Sequence, residues 1–592
     1  MYRLNQIKLN IHHDQNDLRQ KIAKSINMSI DDIDWTTLII LHKAIDARDK
    51  KNILFVYNVA FDTKNVKLKL EKYEPIIFNP IVKANEGVGA NFRSPRMGEL
   101  CEPNVVSSIR PVVVGFGPAG IFAAYILALN GLKPIVVERG KSLGERSKDV
   151  EKFFDTMELD ENSNVCFGEG GAGAFSDGKL NTNNKDKTGI YKFVLETFVK
   201  FGADEKILYE NLPHIGTDKL VDVIKNIRDE IVRLGGEIHY NTKLTFKEGL
   251  AMLAPTNEGS QCVTLTDEES QCVVPAIMKG APVVLAIGNS SRDTFRELIA
   301  NGFDIKAKPI AVGYRIAHRQ IFINNAQYGG KSFDSKEGLA ELAHTRADSQ
   351  YVAPTNKVEK LLGPATYKLT YDVGNGHSVY SFCMCPGGYI INSSNFKGML
   401  SINGMSYNDR NGKYANSAIV ETVRPEDIEG LAELANTGED SPLKMIEFQE
   451  RVEKAAFELE KGHIPYVTSD GNNICNEDVF KGQAKYCDKL KSVYENCGIK
   501  FDINKDIDEA LNYFNIIIPG FFGEGSHPHY LIAGVETRTS SPVKLDRDEN
   551  FMCNVPNFYP CGEGLGHGGG IMSCAVDGIR VAKSIVERLK SM

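Results

Sequence analysis

The sequence predicts an α/β protein of more than one domain, organised around a parallel sheet that the chain leaves and later rejoins. Three observations carry that expectation. The first is length: 592 residues exceed the roughly 250–300 at which a single hydrophobic core stops growing. The second is the run RPVVVGFGPAGIFAAYILALNGLKPIVVERG at 110–140, which reads as strand, glycine turn, helix and strand. The third is a late run, FYPCGEGLGHGGGIMSCAVDGIRVA at 558–582, in which a strand-like approach and a glycine cluster open a helix near Gly570.

In chain order, residues 1–95 come first. Strand-like runs LNQIKLNI and NILFVYNVAF surround a helical stretch, LRQKIAKSI, and predict a small α+β domain, ferredoxin-like in its expected arrangement. The loop NEGVGANFRSPRMGELCEPN reads as a linker. Residues 105–300 then carry the first part of the parallel sheet. In its βαβ unit Gly115 serves the tight turn, Gly117 lets a pyrophosphate approach the backbone, and Gly120 lets helix pack on strand. The helix N-terminus would hold the diphosphate. Glu138, at the end of the second strand, stands where an acid accepts ribose hydroxyls, with Arg139 beside it. The unit predicts a Rossmann-like, dinucleotide-binding domain.

Residues 168–182, GEGGAGAFSDGKLNT, have no apolar period. Glycine inside regular structure costs roughly 0.5–1 kcal/mol against alanine, so such a run implies a ligand lying close to the backbone. TDKLVDVIKNIRDEIVRL at 217–234 predicts an amphipathic helix capped by Thr217, and EIHYNTKLTF a following strand. The echo of SQCVTLTDEE in SQCVV predicts a hairpin. Residues 301–515 are expected as an inserted α+β substrate domain and 516–592 as the closing part of the discontinuous first domain.

Composition excludes several classes. Hydrophobic residues at 42% and charged residues at 25% match an ordinary globular chain. The net charge of -8 comes with scattered Lys and Arg, so no nucleic-acid footprint appears. No apolar stretch is suited to span a bilayer and MYRLNQIKLNIHH has no secretory h-region, so a cytoplasmic protein is expected, with no membrane partner. The 12 cysteines are dispersed without zinc or disulfide spacing, and no metal is expected.

An early dinucleotide fingerprint joined to a second glycine-to-helix element resembles FAD-binding proteins. Together with VVLAIGNSSRDTF at 283–295, YKLTYDVGNGHSVYSFCMCPGGY at 367–389 and GVETRTSSPVKL at 534–545, the glycine run resembles the bacterial family of uncharacterised FAD-dependent dehydrogenases. More distantly the chain is similar to fumarate-reductase-like and aromatic-hydroxylase-like flavoproteins. The resemblance implies FAD as cofactor. It places Gly168, Gly170, Gly171, Gly173 and Ser176 against the diphosphate and ribityl chain, Gly288 near the adenosine, and Gly562, Glu563, Gly569, Gly570 and Ile571 at the flavin.

Candidates for the reaction follow from side-chain chemistry. Arg538 and Arg315 suit bidentate capture of an anion over the flavin. His214 and His318 suit proton transfer near neutral pH, with His527 and His529 as alternatives. Cys383 and Cys385, two apart on a strand, would face one side. They read as packed thiols or, less simply, as a pair that exchanges electrons with a flavin. No Ser-His-Asp order or HExxH spacing occurs. With no GxGxxG after a strand outside the glycine runs already quoted, NAD(P)H would bind only transiently, and a protein electron donor is an equal expectation. The sequence thus predicts an FAD-dependent oxidoreductase, a dehydrogenase moving hydride between flavin N5 and a small organic substrate. The rival readings are a flavin monooxygenase, an RNA-modifying flavoprotein and a flavin-loaded redox sensor or scaffold.

Overall fold

The computed structural model describes residues 1–64, 69–82, 109–181, 186–247, 250–256, 280–329, 361–374, 376–429, 441–469, 479–523 and 530–592. The hairpin expected from SQCVTLTDEE and SQCVV lies outside them, as do His527 and His529.

Short apolar, β-branched runs build the expected parallel sheet. Its order is Phe558–Pro560, Val283–Leu285, Val112–Val114, Ile135–Val137, Glu237–His239, every pair parallel. The three central strands are wholly buried, as a sheet covered on both faces requires. On one face lie the helices Pro118–Leu129, Thr217–Arg233 and Ile571–Ser591. The first is apolar all round because it is sandwiched. A Cβ on Gly578 of the last helix would fall 2.2 Å from the Ala119 carbonyl, so the two helices touch backbone to backbone there. The other face is covered by the helix Arg292–Ala300 and the two-stranded ribbon of Ile305–Ala307 with Val543–Leu545.

The helix Thr217–Arg233 buries Leu220, Val223, Ile224, Ile227 and Ile231, the stripe its period predicts. Its N-cap is Gly216, however, and the Thr217 hydroxyl donates instead to the Ser176 carbonyl at 2.7 Å. Thr217 ties the helix to the glycine run rather than capping it.

A second sheet of seven strands has the order Thr370–Gly374, His377–Cys385, Tyr414–Val423, Ile310–Arg319, Tyr530–Glu536, Ile464–Thr468, Ala484–Tyr486. The helices Lys444–Glu460 and Ile503–Ile517 back it with a core of its own. Since Tyr530–Glu536 is an inner strand of this sheet, the chain rejoins the parallel sheet only at Phe558, later than the expected boundary at 516.

At the N-terminus four strands order as Ile33–Asp46, Leu54–Thr63, Tyr2–Asn10, Glu71–Lys72, with the helix Gln15–Ser25 against them. That is the strand order of a ferredoxin-like sheet. The Lys43 amide donates to the Tyr209 carbonyl at 2.7 Å, and the Asn211 amide returns a bond to the Lys43 carbonyl at 2.9 Å. No helix among the described residues is long and apolar enough to cross a membrane.

Candidate cofactor and substrate site

A cavity of about 620 Å³ opens at the C-terminal ends of the parallel strands, where Val114, Val137 and Ala286 meet residues of the seven-stranded sheet. Such a strand-end crevice is where open α/β sheets bind ligands. The three glycines of the first turn play separable parts. Gly115 has φ +96°, and a Cβ there would lie 2.3 Å from the Ala286 carbonyl oxygen. A Cβ on Gly120 would lie 1.9 Å from the Gly115 carbonyl oxygen. Both are demanded by the fold. A Cβ on Gly117 would meet nothing nearer than the Gly171 Cα at 3.6 Å, so the protein itself leaves room for one.

The same openness recurs across the cavity. At Gly288, Gly569 and Gly570 an added Cβ would find no protein atom within 4 Å. Two helix N-termini open here, at Gly117 and Gly570, and neither has a side-chain cap. Uncapped N–H groups and the positive end of a helix favour an anion.

The glycine loop is held by a residue that sequence reasoning missed. Arg146, wholly buried, donates to the carbonyls of Asn164 (2.8 Å), Val165 (2.9 Å), Gly168 (3.2 Å), Glu169 (2.6 Å) and Gly171 (3.0 Å). Burial pushes its pKa down to about 10, leaving it protonated at neutral pH. Gly168, at φ +120°, has no room for a Cβ because the Arg146 stem would be 2.4 Å away. Gly170 donates its amide to the Phe116 carbonyl at 2.8 Å. The Gly171 Cα packs on Gly117, and Gly173 faces Ile571.

Glu138 lines the cavity as expected, but its carboxylate accepts the amides of Phe116 (2.8 Å), Gly140 (3.0 Å) and Gly168 (3.0 Å). It therefore locks the first turn to the glycine loop. Arg139 is spent on Asp293 (2.9 and 3.0 Å) and lies 4.1 Å over the Phe167 ring. The Ser176 hydroxyl donates to the Gly173 carbonyl (2.9 Å) and accepts the Gly178 amide (3.1 Å), so it shapes the loop instead of donating to a ligand. Gly562, at φ +74°, packs on Ala119. Glu563 accepts Asn289 Nδ2 at 2.9 Å and the Gly570 amide at 3.4 Å, and burial pushes its pKa up.

The four residues expected to carry the reaction are placed otherwise. Arg315 is buried and committed to Glu536 (2.9 and 3.0 Å), Asn416 (2.8 Å) and the Cys383 carbonyl (3.2 Å). Arg538 lines the cavity but bonds Glu453 at 2.9 and 2.8 Å. Glu453 also receives Arg292 at 2.9 and 2.7 Å. Burial raises the Glu453 pKa, yet the two guanidiniums outweigh it and hold the carboxyl down to about 2. His214 bonds the Asn408 carbonyl at 3.0 Å, and His318 the Phe521 carbonyl at 2.9 Å among aromatic rings. Burial lowers each to about 4, and neither is among the residues that line the cavity. Polar groups that sequence reasoning did not single out as site residues line it as well, among them Lys179, Asp177, Asn403, Ser393 and Thr539. Asp177 and Lys179 stood in the quoted glycine run, where a turn sequence disguised them.

Two family models match this chain. One, "FAD-dependent protein, C-terminal domain-like", covers residues 309–539. The other, a domain of unknown function, covers residues 1–62. An uncharacterized protein of Clostridium beijerinckii is 38% identical over 597 aligned positions, 99% of this chain and 98% of the relative. The chain belongs to this family of FAD-dependent proteins. Among solved structures, the open conformation of a flavocytochrome c3 fumarate reductase aligns at TM-score 0.27 and 11% identity over 82% of this chain and 78% of that one. A 2-methyl-3-hydroxypyridine-5-carboxylic acid oxygenase aligns at TM-score 0.28 and 11% identity over 82% and 86%. Likeness of that size decides nothing about the fold or the reaction.

The site's own residues fit FAD. Gly117, Gly288, Gly569 and Gly570 form a cradle in which a Cβ would meet no close protein atom. Two uncapped helix N-termini face the same cavity as the glycine loop. Gly117 and the loop Gly168–Gly171 would take the diphosphate, and the Gly569–Ile571 turn would face the flavin.

Proposed function

We propose that the protein is an FAD-dependent dehydrogenase or reductase that moves hydride between flavin N5 and a small organic substrate. One observation carries this reading: the glycine cradle and the seven-stranded sheet are two walls of one cavity. Phe382 and Cys383 of that sheet, with Ile402 and Asn403 of the strand Ile402–Met405, line the same cavity as Gly288 and Gly570. When bound, FAD supplies a ring that accepts or releases a hydride.

The chain supplies the rest. The N-terminus of Ile571–Ser591 would stabilise negative charge on the reduced ring. Phe382 and Ile402 would exclude water and seat an apolar substrate face, and Asn403 and Ser393 would orient its polar atoms. Lys179 provides an ammonium at the wall. Burial would lower its pKa, but Asp177 at 3.2 Å together with Cys383 and Cys385 outweighs that and raises it, so the cation persists through neutral pH. Electrons would enter from NAD(P)H docked transiently at the flavin face or from a protein donor, in the cytoplasm, without a nucleic-acid or membrane partner.

The visible spectrum of the purified protein tests the reading, followed anaerobically as NADH and then NADPH are added. A flavin spectrum that bleaches with either nucleotide is expected of a nicotinamide-driven reductase. Oxygen consumption coupled to a hydroxylated product would replace hydride transfer by monooxygenation. A protein that carries no flavin and binds none overturns the reading altogether.

A further inference from the structure

Hydride transfer to a small molecule leaves Cys383 and Cys385 unused. The strand His377–Cys385 pairs in register with Tyr414–Val423 as far as Phe382, then slips, so that Cys385 opposes Asn416. At the slip Cys383 has φ +43°, a left-handed backbone that residues other than glycine seldom adopt. A bulge of this kind re-aims a side chain. Here Cys383 becomes part of the cavity wall, with Cys385 buried behind it.

The surroundings are not those of packed thiols. Lys179 Nζ donates to both sulfurs, 4.0 Å from Cys383 Sγ and 3.9 Å from Cys385 Sγ. Asp177 holds Lys179 and is itself held by Arg410 at 3.0 Å. The Arg315 guanidinium lies 3.2 Å from the Cys383 carbonyl. A hydrogen bond from the Cys385 thiol holds Cys383 well below the usual thiol range, and Lys179 and Arg315 add to it against the opposing effect of burial. The same bond pushes the Cys385 thiol well up. Cys561 and Cys574, on the same cavity, are pushed up by burial above all, as inert packed thiols are. The charge of Cys383 is also felt by Glu563, whose carboxylate accepts the Gly570 amide at the start of the last helix. Cys383 lines the same cavity as Gly569, Gly570 and Ile571 at the start of that helix.

We propose that Cys383 and Cys385 form a redox-active pair that exchanges two electrons with the FAD ring, an inference that rests on FAD filling the cavity. In the oxidising direction the Cys383 thiolate and Cys385 thiol join in one S–S bond, releasing one proton and two electrons, all of which pass to the oxidised flavin. The reverse step cleaves the S–S bond and returns the proton to Cys385. Lys179, within 4.0 Å of both sulfurs, stabilises whichever of them carries the negative charge as the bond forms or breaks.

The test is an anaerobic dithionite titration of the holoprotein after oxidation with diamide, paired with mass spectrometry of the alkylated peptide that contains both cysteines. Wild type is expected to take up four electrons per flavin, and Cys383→Ser and Cys385→Ser two each. The wild-type peptide should go unalkylated before titration and take two alkyl groups after it. Uptake of only two electrons by wild type, with both thiols alkylated in the diamide-treated protein, overturns the proposal. Should the serine variants misfold, the wild-type electron count and peptide mass decide alone. A preparation without flavin overturns the cofactor assignment instead, and the peptide mass still reports whether the two sulfurs join.

Discussion

Arg146→Met removes the clamp on the glycine loop while keeping much of the side-chain volume. Five carbonyls lose their shared donor. A bond from a charged donor is worth about 1.5–3 kcal/mol net. Counting only the two shortest, to Glu169 at 2.6 Å and Asn164 at 2.8 Å, the ordered loop loses at least about 3 kcal/mol. If FAD needs that loop ordered, the loss appears in its affinity, and at 1.4 kcal/mol per decade the Kd rises more than about 100-fold. Arg146→Lys should recover little, because an ammonium is a point donor and cannot span carbonyls spread from 164 to 171. The assay is fluorescence titration of the apoprotein with FAD, alongside circular dichroism to confirm the fold. A Met variant that binds FAD within threefold of wild type would refute the assignment of Arg146 to the loop.

Gly117→Ala and Gly120→Ala should separate ligand from fold. The first is expected to melt like the wild-type apoprotein yet purify without flavin, because nothing nearer than the Gly171 Cα, at 3.6 Å, approaches its Cβ. The second should express poorly or melt early, since its Cβ would overlap the Gly115 carbonyl oxygen at 1.9 Å. Equal flavin content in Gly117→Ala and wild type would count against the cradle. His318 gives a pH signature. Its folded pKa of about 4 lies below the unfolded value of about 6.5, so the unfolded chain binds more protons between them. Stability is therefore complete above about pH 6.5 and declines as pH falls toward 4, by about 3 kcal/mol from this group. In urea unfolding at pH 7 and pH 4.5, His318→Phe should show a shallower decline than wild type; parallel slopes would contradict a neutral buried imidazole.

What could be read from the sequence was local. The turn at Gly115–Gly120 and the helix after Gly570 announce themselves within a few residues, because glycine spacing and apolar period are properties of contiguous chain. The same holds for the stripe of Thr217–Arg233. The carriers of the site's electrostatics were hidden because their partners lie far off. Arg146 reads as one more charge on an amphipathic helix until the loop about 20 residues later closes over it. Arg315 looked free to bind an anion, since Glu536 meets it only across 221 residues. Glu453, in the helix Lys444–Glu460, gives no sign in sequence that it joins Arg292 to Arg538. The exposure of Cys383 depends on a one-residue slip between strands, and alternation along one strand cannot foresee that.

The parallel sheet draws its edge strand Phe558–Pro560 and the helix Ile571–Ser591 from far downstream of Val283–Leu285, the strand beside which Phe558–Pro560 lies. During translation the ribosome must therefore deliver the whole seven-stranded sheet before the cradle gains its second helix N-terminus. A nascent chain halted between Val283–Leu285 and Phe558 holds the first glycine turn but only one of the cavity's two uncapped helix N-termini. If flavin capture needs both helix N-termini, a chain that holds its cofactor is one that has been translated as far as Gly570.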